Sequence, residues 1–222
     1  MNFFYLYQFL LTYSKKQFLN QNTKNMSDLT SPQGKKYKVV LMGSSSVGKT
    51  SLIVRFSQNS FFADQESTIG AAFVSRDVTT PKGVITLNIW DTAGQERYRS
   101  LVPKYSQGSS VIIIVFDVTD EESFESAKEW LYDARNNHNG KLIWYLVANK
   151  CDLKPEFDLE KAKQFAQEEK MEYIETSAKT GENVEAMFVD IANMVPSLPS
   201  MNQGVDLTQG SGGDKKKSGC CK

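Results

Sequence analysis

The chain has 222 residues, 40% of them hydrophobic, which is enough for one ordinary domain with tails around a single core. Its 26 lysines and arginines balance 26 aspartates and glutamates, so no overall positive field exists to drive non-specific nucleic-acid binding. One histidine and three cysteines exclude a disulfide framework, a Cys/His zinc site and repeated histidine acid–base chemistry, and they fit a reducing compartment.

Residues 1–35 open with MNFFYLYQFLLTY, an apolar run too short to span a membrane and without the charged start or cleavage site of a secretory signal. The polar stretch behind it contains Met26, a candidate alternative start, and this N-terminal extension is expected to be disordered. Residues 36–196 alternate short apolar or β-branched runs with helical patterns and read as one α/β domain. The strand candidates are 37–43, 71–80, 84–91, 110–118, 141–149 and 171–177. VIIIVF and LIWYLVA are continuous apolar runs, as expected of strands buried on both faces of a parallel sheet. The second and third candidates flank the turn TPKG and should form an antiparallel hairpin. Helical periods run through KTSLIVRFSQ, EESFESAKEWLYDARNN, DLEKAKQFAQEEK and ENVEAMFVDIANMV. His138, in the polar RNNHNG, reads as a solvated helix cap and not as a catalytic group. The remaining βα alternation predicts a doubly wound sheet with ligands at the carboxyl ends of its strands. Residues 197–222, rich in Gly, Ser, Gln and Lys, are expected to form a disordered tail.

Four stretches at predicted strand ends carry chemistry. GSSSVGKT, residues 43–50, fits GxxxxGK[ST] directly after a strand and at the opening of a helix. In that setting the backbone N–H groups of Ser45, Ser46, Val47, Gly48 and the helix start through Ser51 wrap a diphosphate. Lys49 reaches the β- and γ-phosphates, and Thr50 offers its hydroxyl to Mg²⁺. A ligand-free Gly/Ser turn is the plain alternative. DTAGQ, residues 91–95, sets Asp91 to hold Mg²⁺ directly or through water, the Gly94 N–H to sense a γ-phosphate, and Gln95 to orient an attacking water. NKCD, residues 149–152, offers a base pocket of Asn149, Lys150 and Asp152. The Asp152 carboxylate can accept two N–H bonds from guanine, whereas adenine would leave it unpaired. Cys151 reads as a small filler in the variable slot. ETSAK, residues 175–179, completes that pocket with Ser177, Ala178 and Lys179. The Ala178 N–H faces the guanine carbonyl, and the Lys150 and Lys179 stems cover the ring faces.

These motifs in this order resemble the Ras-like small GTPases over residues 36–196. The resemblance implies a six-stranded, mostly parallel sheet with one antiparallel strand and five flanking helices. It implies GTP/GDP and Mg²⁺ as ligands, with Gln95 and Lys49 as the catalytic pair. FFADQESTIG becomes the first switch, with Thr68 closing on Mg²⁺ and the γ-phosphate and Phe61 packing on the base; DTAGQERYRS becomes the second. IGAAF, LNIWDTAGQERYRS and FDVT are similar to the Rab family, and QESTIGAAF to its early-endosomal, Rab-five type subgroup. Phe73, Trp90 and Tyr105 then match the aromatic triad read by effectors, with core packing as their plain alternative. PKYSQGSS departs from the usual run at Ser106 and Gln107, which bears on effector choice, and Ser45 and Ser46 bear on the intrinsic rate.

No internal arginine finger stands out: Arg97 and Arg99 read as partner contacts or solvated charges, so slow intrinsic hydrolysis is expected. The resemblance further implies an exchange factor, a GTPase-activating protein, a GDP-dissociation inhibitor and tethering effectors, with the chain a monomer that binds no nucleic acid. An ATP-using P-loop enzyme, a scaffold without turnover, a Rab of another trafficking step and a soluble GTPase are the competing readings. The ending KKKSGCCK bears on the last. Adjacent thiols would form a strained disulfide, lack partners for zinc and do not make a CaaX box. The resemblance makes Cys220 and Cys221 geranylgeranyl sites, with Lys215, Lys216 and Lys217 against the anionic cytoplasmic face of endosomal membranes.

Overall fold

The computed structural model describes residues 35–136 and 141–198. The N-terminal extension with Met26, His138, and the tail with Lys215–Lys217, Cys220 and Cys221 therefore lie outside the described residues. Six strands, β1 (Lys35–Met42), β2 (Ala71–Thr80), β3 (Gly83–Thr92), β4 (Val111–Asp117), β5 (Ile143–Asn149) and β6 (Glu172–Thr176), form one sheet in the order β2-β3-β1-β4-β5-β6. β2 runs antiparallel to β3 through the expected turn, with Thr80 opposite Gly83, and every other pairing is parallel.

The continuous apolar runs are explained by the two faces they serve. Side chains alternate across a strand, so Val111, Ile113 and Val115 of β4 enter one core while Ile112, Ile114 and Phe116 enter the other. The first core packs α1 (Lys49–Gln58) and α5 (Val184–Met194) on the sheet, with Phe56 and Phe188 stacked at 4.0 Å. The second packs α3 (Glu121–Asn136) and α4 (Glu160–Glu168), including Trp130, Leu131 and Ala166. All four patterned helices form where expected.

A fifth, α2 (Val102–Ser106), follows a 3₁₀ turn over Glu96–Leu101. Neither is long enough to show a period in sequence. The chain passes from β1 to the hairpin on one side and then crosses from β3 to β4 on the other, so ligand space opens beside the carboxyl end of β1. The ends of β3, β5 and β6 open at the same edge, which is where the four stretches singled out in sequence meet. Among the described residues, no helix is long and apolar enough to cross a membrane.

Candidate nucleotide-binding site

A cavity of about 490 Å³ lies over these strand ends. It is lined by Ser45, Ser46, Gly48, Lys49, Thr50 and Ser51 of the loop and α1, by Phe61 and Thr68 of segment 60–70, and by Gly94. Asn149, Lys150, Asp152, Ala178 and Lys179 line its other side. Of the expected site residues, Val47, Asp91, Gln95 and Ser177 do not line it. Val47 is buried in the first core, Ser177 stands behind Asp152, and Asp91 lies beneath Thr50 and Thr68. Gln95 precedes the 3₁₀ turn beside Gly94.

At one end, Lys49 is buried and its Nζ–H groups donate to the carbonyls of Gly43 and Ser44 at 2.7 and 2.6 Å. Burial pushes the ammonium down to about 8, with Asp91 opposing. Burial likewise raises the Asp91 carboxyl, against the hydroxyl bond from Thr50, the charge of Lys49 and the bond from Thr68. The Thr50 and Thr68 hydroxyls donate to Asp91 Oδ2 at 2.6 and 3.1 Å and lie 2.8 Å from each other. Asp91 Oδ1 is buried without a hydrogen-bond partner.

This donor set fits Mg²⁺: hard oxygens from two hydroxyls and one carboxylate, with an unanswered buried oxygen among them. No cluster of three His, Cys, Asp or Glu side chains suited to a metal occurs among the described residues. A cation held here would therefore share its coordination with substrate phosphates, as Mg²⁺ does. Gly94 comes so close to Lys49 Nζ and Ser44 O that a Cβ there would collide with both. A glycine thus lets the β3 turn reach the loop.

The other end is held by hydrogen bonds among its own residues. Asn149 Nδ2–H donates to Val47 O at 2.8 Å, while its Oδ1 accepts from the Thr176 hydroxyl at 3.2 Å and from the Ala178 N–H at 3.3 Å. One amide thus joins the phosphate loop to both base-pocket turns. Gly48, at φ +95°, passes so near this amide that any side chain would strike it. Ser177 Oγ–H donates to Asp152 Oδ1 at 2.6 Å, which fixes the carboxylate. Lys179 Nζ lies 3.6 Å from Asp152 Oδ2.

Lys150, in left-handed backbone at φ +67°, places its ammonium 2.5 Å from Asp117 Oδ2. Asp117 was missed by sequence reasoning. Its only signal is its position at the end of β4, one strand over from NKCD. Cys151 is half-buried, and burial, reinforced by Glu182, pushes its thiol up to about 11, in keeping with a filler and not a nucleophile.

Outside the cavity, Phe73 and Trp90 face each other across the hairpin, rings edge to face at 5.3 Å, with Phe73 exposed. Trp90 and Tyr105 are partly buried against the second core, so packing accounts for part of these two. At the departure from the Rab pattern, Ser106 is buried and the Gln107 carbonyl accepts from Lys38 Nζ at 2.9 Å, with that ammonium over the Trp90 ring. The reading of Arg99 as a solvated charge or partner contact needs correction. Its guanidinium pairs with Glu129 Oε2 at 2.7 Å and with Asp133, both on α3, and covers the Trp130 ring. The cause is helical spacing: residues four apart on α3 present two carboxylates on one face.

The family model described as the Ras family matches residues 38–197. The chain is 43% identical over 188 residues to Ras-related protein RABF2a of Arabidopsis thaliana, an alignment covering 83% of this chain and 94% of the relative. It is 39% identical over 193 residues to Ras-related protein Rab-5A of Dictyostelium discoideum, covering 83% and 95%.

Proposed function

Because the chain belongs to the Ras family of small GTPases and is a Rab-type GTPase, we propose that it is a membrane-bound switch of endocytic transport acting at early endosomes. Family membership makes it a GTP-hydrolysing enzyme with GTP/GDP and Mg²⁺ as ligands. The observation that carries the residue assignments is one cavity with two unlike ends: a buried lysine and carboxylate at one, a hydrogen-bonded Asp152 carboxylate at the other.

In this reading the N–H groups from Ser45 to Ser51 and the Lys49 ammonium bind the substrate's phosphates, with Lys49 countering the charge that builds on the β–γ bridge. Thr50, Thr68 and Asp91 hold Mg²⁺, which when bound neutralises phosphate oxygens. Gln95 orients the attacking water. Asp152 accepts the two guanine N–H groups, the Ala178 N–H meets the guanine carbonyl, and the stems of Lys150 and Lys179 with the Phe61 ring cover the base. Thr68 and the Gly94 N–H follow the γ-phosphate, so hydrolysis frees segments 60–70 and 91–101 and releases tethering effectors from Phe73, Trp90 and Tyr105.

In this reading Arg99, engaged by Glu129 and Asp133 of α3, is not the arginine that steadies the transferred phosphate. An activating protein supplies it, raising the rate by about 10³ to 10⁵. An exchange factor restores GTP. Two geranylgeranyl groups on Cys220 and Cys221 anchor the chain, and a GDP-dissociation inhibitor covers them in transit.

Live-cell imaging tests the reading. The wild type should mark early endosomes, Gln95→Leu should mark enlarged early endosomes, and the Cys220→Ser/Cys221→Ser double variant should be diffuse. A wild type on another compartment would assign a different trafficking step, and a wild type indistinguishable from the double serine variant would remove the membrane role. Competition of ATP with labelled GTP tests the assignment of base selectivity to this pocket.

A further inference from the structure

Arg55 has no part in the chemistry above, yet its guanidinium reaches four acceptors on two separate segments. From the last turn of α1, Nε–H donates to the Ala178 carbonyl at 2.8 Å and Nη2–H to the Lys179 carbonyl at 2.7 Å. Nη1–H meets the Asn59 carbonyl at 3.0 Å and the Asn59 side-chain oxygen at 3.2 Å. All four acceptors are uncharged oxygens, so the cation is spent on shaping backbone.

Both carbonyls belong to residues that line the cavity. A planar fork that engages two successive carbonyls fixes the Ala178–Lys179 and Lys179–Thr180 peptide planes, which a single flexible ammonium does not. The turn they belong to is otherwise closed by Gly181 N–H on the Ser177 carbonyl at 2.8 Å and Thr180 N–H on Ser177 Oγ at 3.1 Å. The Arg55 stem runs beneath it, and a Cβ on Gly181 would lie 3.5 Å from Arg55 Cδ. The Ala178 N–H donates to Asn149 Oδ1 at 3.3 Å, longer than a typical N–H···O bond, so this donor has capacity for a better-placed oxygen. On the other side of the fork, Asn59 caps α1 in left-handed backbone, its N–H returning to the Arg55 carbonyl at 2.9 Å. Segment 60–70 departs from that cap.

We propose that Arg55 is a positioning residue for guanine recognition: by holding the Ala178 and Lys179 carbonyls from the end of α1, it fixes the two peptide planes that follow the Ala178 N–H, and with the Gly181 N–H on the Ser177 carbonyl behind that N–H it sets the group toward the guanine O6. This rests on the guanine-nucleotide reading of the cavity. Lys179 and Thr180 are exposed, so without the guanidinium the turn can rehydrate while the sheet and both cores stay intact. What is lost is the direction of one N–H.

The test measures nucleotide release from the full chain, wild type against Arg55→Ala and Arg55→Lys, with three diphosphates. These are GDP, inosine diphosphate, which lacks the amino group facing Asp152, and 2-aminopurine ribonucleoside diphosphate, which lacks O6. Arg55→Ala should release GDP and inosine diphosphate about tenfold faster, and the O6-less nucleotide less than about twofold faster. Arg55→Lys, able to serve one carbonyl, should fall between. Equal acceleration of all three would mean a merely structural role and overturn the proposal, as would no acceleration of GDP. A wild type that retains none of the three would instead overturn the guanine-nucleotide reading, and the proposal with it.

Discussion

At the base end of the cavity the polar side chains answer one another, whereas at the phosphate end burial shifts the pKa of both ionisable groups away from its ordinary value. Asn149 uses its amide in three directions, Asp152 is fixed by Ser177, and Lys150 is fixed by Asp117. Lys49 is pushed down by burial, and Asp91 is pushed up by burial with one oxygen unpaired. The base end is a finished surface that accepts only a complementary edge, because a mismatched base leaves its polar groups without partners. The phosphate end is completed by charge that the ligand brings, so it responds to how much charge is there. On the proposed reading selectivity and switching fall to different residues, and each should be breakable alone.

The largest effect expected falls on selectivity. Asp152→Asn presents an N–H where guanine also presents one, so the preference for GTP over ATP should fall by about 10³ while binding stays dependent on Mg²⁺. Competition of each nucleotide against labelled GDP measures it, and a preference that survives within about tenfold would place selectivity elsewhere. The counterpart at the phosphate end is Thr50→Asn, which removes a hydroxyl from the set around Asp91. The ratio of GTP to GDP affinity should drop about 30-fold while ATP is still rejected. An unchanged ratio would show that Thr50 does not sense the third phosphate, and loss of ATP rejection would show that the two ends are not separable.

The sequence revealed the parts of this arrangement that leave a local pattern. Buried runs such as VIIIVF announced strands covered on both faces, and GSSSVGKT and NKCD announced the site, because close backbone approach and edge recognition demand particular residue types at fixed spacing. The supports were not legible for a physical reason. Arg55 bonds to backbone oxygens, which every residue has, and so leaves no complementary residue in the sequence. Asp117 ends β4 and Lys150 follows β5, neighbouring strands whose adjacency exists only after folding. Arg99 was misread for the same reason, since its two carboxylates sit a helix away. α2 and the turn before it are shorter than the period that would betray them.

A smaller effect tests whether the base end is as finished as it looks. Asp117→Asn keeps an acceptor for the Thr119 N–H and hydroxyl but removes the charge opposite Lys150. The lysine side chain is 34% exposed, so the pair is worth only about 1 kcal/mol after screening, and GDP release should quicken about fivefold. High salt should narrow the gap between variant and wild type. A gap that salt leaves untouched would mean that packing and not charge holds the lysine.

The smallest effect contrasts two residues that share one backbone conformation. Ser46 at φ +64° and Lys150 at φ +67° both sit in left-handed backbone, one at each end of the cavity. A side chain there costs about 1 to 2 kcal/mol. Glycine recovers that cost but gives back about 0.4 to 1 kcal/mol through the freer unfolded chain. Ser46 is exposed, so Ser46→Gly should leave a net gain of about 0.5 to 1 kcal/mol, a rise in melting temperature of about 1 to 4 °C. Lys150→Gly recovers the same strain but discards the pair with Asp117, and its melting temperature should not rise. Thermal melts of both variants with GDP bound decide the point. Equal stabilisation would mean that the Lys150 side chain contributes nothing to the folded base end. No gain at Ser46 would mean that the phosphate loop stores no strain in its backbone, leaving burial of Lys49 and Asp91 as the whole of the tension at that end.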